Sequence, residues 1–141
     1  MQSDIVNAAR SWIGTPYHHQ ASLKGVGCDC LGLLRGVWCE VMGSEPELPP
    51  PYAMDWAEAS GEECLRDAAR RHLIEIDPAK FGAGDVLLFR MSRNAPAKHC
   101  GIATAPERMV HAWAGREVAE TPLGGFWSRR LAYAFRFPGV V

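Results

Sequence analysis

The sequence predicts an α+β domain, with N-terminal helices packed on a C-terminal antiparallel sheet. Apolar residues recur at helical spacing in the first half, as Ile5, Val6, Ala9, Trp12 and Ile13, then Leu33, Leu34, Val37, Trp38 and Val41. The second half changes to short β-prone runs separated by Pro, Gly and Asn. Helices first and strands second suit helices laid on one sheet. With 141 residues, 48% of them hydrophobic, a single domain over 1–141 with a true core is expected.

The elements follow in order. Ser3 to Ile13 reads as a helix with Ser3 or Asp4 as its cap, ended by Gly14 and Pro16. A loop rich in Gly, His and small polar residues runs from Gly14 to Asp29. The next helix starts at Cys30 with Asp29 as N-cap and closes at Gly43. Gly32 and Gly36 inside it each cost about 1 kcal/mol against Ala, which suggests that something approaches the backbone closely there. Glu45 to Pro51 is a proline-rich turn. Asp55 to Leu73 reads as helix, broken near Ser60-Gly61, where Ser60 and Glu63 have capping-box spacing. Strands are expected at Val86–Phe89, Lys98–Thr104, Arg108–Trp113, Glu117–Thr121 and Leu131–Phe137, forming an antiparallel meander.

Several function classes fall away. Fifteen basic residues face sixteen acidic ones, for a net charge of −1, so nucleic acid finds no basic footprint. No apolar run approaches the roughly 18 residues that span a bilayer, so membrane insertion is not expected. Met1-Gln2-Ser3-Asp4 has neither the basic nor the apolar region of a secretory signal, which points to synthesis in the cytoplasm. Five cysteines cannot all pair within one chain, so free thiols in a reducing compartment are expected.

One of those thiols sits where chemistry is favoured. Cys30 opens a helix, where the dipole and unpaired N–H groups stabilise a thiolate and an oxyanion. The competing reading of Cys30 is a small buried packing residue. A nucleophilic thiol needs a base, and His99 starts a strand with His111 twelve residues on. If the turn around Ala105-Pro106 holds an odd number of residues, both imidazoles share one face of a hairpin. They then lie directly opposite, with Cα atoms roughly 5 Å apart. His99 is then the base and His111 its orienter.

These residues also form a recognisable series. Trp12-Ile13-Gly14-Thr15-Pro16-Tyr17 and Gly27-Cys28-Asp29-Cys30-Leu31-Gly32-Leu33 resemble the opening of NlpC-type cell-wall cysteine peptidases. Gly84-Asp85-Val86-Leu87-Leu88-Phe89, His99-Cys100-Gly101-Ile102 and Met109-Val110-His111-Ala112 resemble that family's later motifs. The run Tyr17-x-His19-Gln20-Ala21-Ser22 resembles the phage-tail and gene-transfer-agent branch. The resemblance implies a papain-like NlpC-type fold and hydrolysis of peptidoglycan stem peptides. It implies Cys30 as nucleophile, His99 as base and His111 as orienter, with Tyr17 and Asp29 near the substrate or oxyanion. It implies neither cofactor nor metal. Two positions depart from the family's pattern. Leu31 stands where Ser is usual, and Tyr17-His18-His19-Gln20-Ala21 replaces a Tyr-x-x-Gly-Gly loop.

Other readings stand beside this one. His18, His19, Cys28, Cys30 and His99 offer zinc-type ligands, although C-x-C spacing is awkward for one tetrahedral ion. Cys100 alternates away from His99 and is expected in the core, while Cys39 and Cys64 are expected to pack on helices. Trp113, Phe126 and Trp127 either pack or line a cleft. The chain is alternatively a tail or baseplate adaptor with little activity, or a thiol amidase or acyltransferase on another substrate. A catalytic fold of this size leaves no room for a wall-binding module, so tail-tip or baseplate partners are expected to carry it. It would then act outside the cell or in the periplasm as part of a phage-like particle.

Overall fold

The computed structural model describes residues 2–44 and 62–139. Helix α1 (Gln2–Ser11) buries Ile5, Val6 and Ala9, the positions that its apolar spacing selects. It ends two residues before the expected stop. Trp12 and Ile13 continue as turns, with N–H groups 3.1 Å from Ala9 O and Arg10 O. Ser3 and Asp4 lie within the first turn rather than at the cap, where the Asp4 carboxylate still meets the positive end of the helix. Gly14 then reverses the chain at φ 93° and donates to Val118 O at 2.9 Å.

The following loop carries a small ribbon, β1 (Ser22–Leu23) against β2 (Gly27–Cys28), which its composition did not announce. Helix α2 (Cys30–Met42) begins and ends as expected. Asp29 caps it through Gly32 N, and Gly43 closes it at φ 88° with its N–H on Cys39 O. Both interior glycines are contact points. A Cβ on Gly32 would lie 1.8 Å from Ala21 O, and one on Gly36 would lie 2.0 Å from the Trp12 ring. Close approach to the backbone is therefore what the two glycines permit.

The proline-rich turn, the start of the next expected helix and its break at Ser60-Gly61 lie outside the described residues. Helix α3 (Cys64–His72) follows. Glu63 directly precedes it and makes no side-chain cap bond to it, and the capping-box partner Ser60 lies outside the described residues. Its carboxylate instead accepts from Ala97 N, Arg90 Nη1 and Tyr133 OH, which ties α3 to the sheet. One of these three partners is a cation, which strengthens the tie.

Six strands make one sheet: β3 (Ile74–Ile76), β4 (Val86–Arg90), β5 (Ala97–Ala105), β6 (Arg108–His111), β7 (Ala119–Pro122) and β8 (Leu131–Arg136). Their order is β3-β8-β4-β5-β6-β7. Only β4 to β7 form the expected meander. The last strand returns to the other edge of β4, between it and β3. A short helix α4 (Gly125–Ser128) makes that return, and neither it nor β3 was expected from the sequence.

Both faces of the sheet are covered, so Val86, Leu87, Leu88 and Phe89 are all fully buried. Val86, Leu88, Cys100, Ile102, Val110 and Phe135 face the helices, joining Ile5, Leu33 and Val37. Leu87, Phe89, Ala103, Met109 and Ala134 face the other way, under Trp127 of α4. The Gly84-Asp85 turn that starts β4 is held by Arg136, whose guanidinium donates to both Asp85 oxygens at 3.0 Å.

Trp12 is buried and the helix backbone beside it cannot yield, so Gly36→Ala overpacks this junction. It is expected to cost about 1–3 kcal/mol. A urea titration should show a lower midpoint at unchanged slope; no shift would mean that Trp12 moves aside freely.

Candidate active site

Cys30 is the first residue of α2 and lies against the start of β5. Its thiol is 3.8 Å from Lys98 O, and the Cys100 thiol donates to Cys30 O at 3.2 Å. The strand's alternation thus aims Cys100 inward, as expected, but onto the backbone of Cys30. Cys28, fully buried in β2, lies beyond Asp29.

The parity of the β5–β6 hairpin decides where the histidines go. Ala103 pairs with Met109, and a bulge between Ala103 and Ala105 lets Ala105 pair with Arg108. Five residues therefore separate the last regular pair, an odd number, and the imidazoles share a face. They are not directly opposite, however. The register Ile102↔Val110 runs on to set His111 across from Gly101, so His99 is its diagonal neighbour. A Cβ on Gly101 would lie 2.7 Å from Met109 Sδ and 3.2 Å from the His111 Cβ. That missing side chain leaves room for the rings to close, and His99 Nε2 and His111 Nδ1 stand 2.9 Å apart.

Since Nε2 of His99 is committed to His111, its Nδ1 is the nitrogen left for Cys30. The two residues interact directly. The Cys30 thiol is held well below its ordinary pKa by a hydrogen bond with Cys100, then by the hydrogen bond and charge of His99. Burial and the Asp29 carboxylate oppose this and are outweighed. Cys100 is correspondingly pushed well above its ordinary value, first by its bond to Cys30 and then by burial. The contact thus pulls the two thiols in opposite directions, Cys30 toward the thiolate and Cys100 toward the thiol. Burial, with His99 alongside, pushes His111 down to about 3, so this imidazole is neutral near pH 7.

Tyr17 and Asp29 lie beside this pair. Tyr17 makes an isolated parallel bridge to Cys28. Burial first, then the Cys30 and Asp29 charges, raise its hydroxyl to about 12. Asp29 is 3% exposed and accepts from Gly32 N at 2.7 Å and from Gln20 N at 2.8 Å, with His19 Nδ1 at 3.8 Å. One carboxylate therefore starts the helix and pins the preceding loop. Gln20 has φ 66°, the left-handed region that glycine prefers. The backbone shape of a glycine loop persists here without glycine, and Leu31 packs half-buried against the core.

Three further residues adjoin the histidine pair beyond those the sequence marks as site residues. Thr121 of β7 places its Oγ1 3.1 Å from His111 Nε2. Trp127 stacks on His99 at 5.0 Å and 26° and meets His111 edge-on at 5.0 Å, while Trp113 lies 5.2 Å from His99. The aromatic residues pack against one another and against the histidine pair. The parity of β6 and β7 would have exposed Thr121 had the turn between them been known. Among the described residues, no group of three or more His, Cys, Asp or Glu is arranged to hold a metal ion.

A thiol on a helix N-terminus, facing a histidine pair on an antiparallel sheet, defines a papain-like α+β domain. The chain belongs to the NlpC/P60 family, whose model matches residues 14–136. It is 26% identical over 137 residues to a Gamma-DL-glutamyl hydrolase of Bacillus subtilis (strain 168). That match takes in 96% of this chain and 29% of the hydrolase, so the chain spans less than a third of that relative. Among solved structures, the NlpC/p60 domain of the peptidoglycan hydrolase SagA superposes with a TM-score of 0.72 at 21% identity. The superposition covers 97% of this chain and 99% of that one. An NlpC/P60 family protein from Bacillus cereus ATCC 10987 gives 0.69 at 20% identity, covering 97% of this chain and 40% of that one.

Two expectations follow. With its pKa depressed, Cys30 should react with iodoacetamide at pH 6–7, where an ordinary thiol is mostly protonated. His99→Ala should slow that reaction about tenfold at pH 7, read by peptide mapping; equal rates would separate His99 from the thiol. The second concerns stability in acid. His111 is depressed from 6.5 to about 3, so its contribution is complete above pH 6.5 and is lost as pH falls toward 3. The slope from this group is at most about 1.4 kcal/mol per pH unit. His111→Asn should flatten the acid side of the stability curve, and an unchanged slope would assign the loss to other groups.

Proposed function

We propose that the chain is a cysteine peptidase that hydrolyses an amide bond in peptidoglycan stem peptides. The observation that carries this reading is the chain of contacts from Cys30 through His99 to His111, with the thiol depressed by its neighbours. Cys30 Sγ passes its proton to His99 Nδ1 and attacks the amide carbonyl carbon. The carbonyl oxygen becomes an oxyanion beside the first-turn N–H groups of α2, with Tyr17 and Asp29 bordering the substrate. The C–N bond breaks, His99 returns the proton to the leaving amine, and a thioester remains. Water then gives a proton to His99 and attacks the thioester carbonyl. Collapse releases the acid, and the thiolate regains its imidazolium partner. His111 keeps the His99 ring in line throughout.

The similarity to a Gamma-DL-glutamyl hydrolase makes a γ-glutamyl amide the first bond to examine. The Tyr17 to Ser22 run extends the proposal to delivery. On that reading the chain travels with tail-tip or baseplate proteins of a phage-like or gene-transfer-agent particle, made in the cytoplasm and acting at the wall.

Purified sacculi incubated with the protein should release soluble muropeptides and new amines, and Cys30→Ala should release none. Mass spectra of the fragments identify the bond. Absence of release, together with stable binding to tail proteins, would favour an adaptor. Immunodetection in purified particles checks delivery, and presence only in cytosol would refute it.

A further inference from the structure

The hydroxyl of Thr121 takes no part in the steps above, yet it is placed to govern the histidine pair. Strand β7 pairs Thr121 with Met109 and Ala119 with His111. Thr121 therefore shares the sheet face of both histidines and reaches His111 diagonally. Its Oγ1 is 3.1 Å from His111 Nε2, while His99 occupies Nδ1 of the same ring at 2.9 Å. The rings of Trp113 and Trp127 also border His111. Glu120, the nearest carboxylate on β7, lies on the opposite face, where it accepts from Arg10 and Thr104.

Proton counting shows what Thr121 must do. A single proton lies between His99 Nε2 and His111 Nδ1. If His111 holds it, a neutral His99 carries its own proton on Nδ1 and cannot accept one from Cys30. If His99 holds it, Nδ1 is open to Cys30, and neutral His111 carries its proton on Nε2. Once Cys30 has ionised, His99 bears protons on both nitrogens and only the second arrangement survives. The His111 Nε2–H is then buried and aimed at Thr121 Oγ1.

We infer that Thr121 is a fourth, positioning residue of this site, its hydroxyl oxygen accepting from His111 Nε2–H and so holding the tautomer that leaves His99 free to act as base. The inference rests on the catalytic reading given above. Serine preserves the acceptor. Valine, nearly the same shape, removes it and leaves a buried N–H unpaired.

The experiment compares wild type, Thr121→Ser and Thr121→Val with ¹⁵N-labelled histidine. NMR reads the His111 tautomer, and alkylation of Cys30 at pH 6 reads the thiolate. Muropeptide release gives kcat and KM. Wild type and T121S should show His111 protonated at Nε2 and similar rates. T121V should show mixed tautomers, slower alkylation and a kcat lowered about five- to twenty-fold with KM nearly unchanged. A wild-type His111 protonated at Nδ1, or a T121V protein that keeps wild-type tautomer and rates, would overturn the inference. Should T121V fail to fold, the wild-type tautomer and the T121S rates decide it. Failure of wild type to release anything from sacculi would count against the catalytic reading, and the tautomer and alkylation would still judge Thr121.

Discussion

The buried carboxylate of Asp29 is the constraint on which the arrangement depends. It holds Gln20 N and Gly32 N at once, joining the loop before α2 to the first turn of that helix. Ser22 Oγ on Gly32 O, and Asp29 N on Ala21 O, complete the same clamp. Gly32 lets the loop backbone lie directly on the helix. The clamp carries an electrostatic cost, because the carboxylate adjoins Cys30 and disfavours its thiolate. His99 and Cys100 have to outweigh that charge, and they do. The helix N-terminus alone therefore does not explain the depressed thiol.

Strand β5 does the second half of the positioning, through simple alternation. Cys100 faces the helices and touches Cys30, while His99 faces the other way toward His111 and Trp127. A strand covered on both faces can serve two layers at once. The bulge between Ala103 and Ala105 absorbs one residue, so the two-residue turn at Pro106-Glu107 still leaves His99 and His111 on one face. Without it, His111 would point into the helical layer.

Much of this was legible in the sequence, for physical reasons. Asp29 and Gly43 mark α2 because caps are local chemistry, and Gly32 and Gly36 signal close contacts because glycine is costly inside a helix. The even spacing of His99 and His111 carries their shared face, but a bulge leaves no local signature, so the diagonal pairing was hidden. The strand β8 returns across the sheet through a tertiary choice that turn residues do not encode. Glu63 shows the same limit. Its capping-box spacing is local, yet the partners its carboxylate holds, Arg90, Ala97 and Tyr133, lie 27, 34 and 70 residues away. Thr121 was overlooked because an isolated threonine at a strand position is ordinary until its neighbour across the sheet is known.

The aromatic wall gives these polar contacts their weight. Trp113, Phe126 and Trp127 meet edge to face at 4.7–6.0 Å, with Phe89 against Trp127, and Trp113 and Trp127 lie on the histidine rings. Water kept from His111 is what depresses its pKa, so the ring stays neutral and relays orientation rather than charge. A charged His111 beside His99 would oppose formation of the imidazolium that pairs with Cys30. Burial of His111 thus keeps a second positive charge away from His99. The same apolar surroundings make each remaining hydrogen bond more consequential, because a ring nitrogen that loses its partner finds no water to replace it. The polar line from Cys30 to Thr121 and the tryptophans around it are therefore one device, with the apolar part setting the proton positions that the polar part requires.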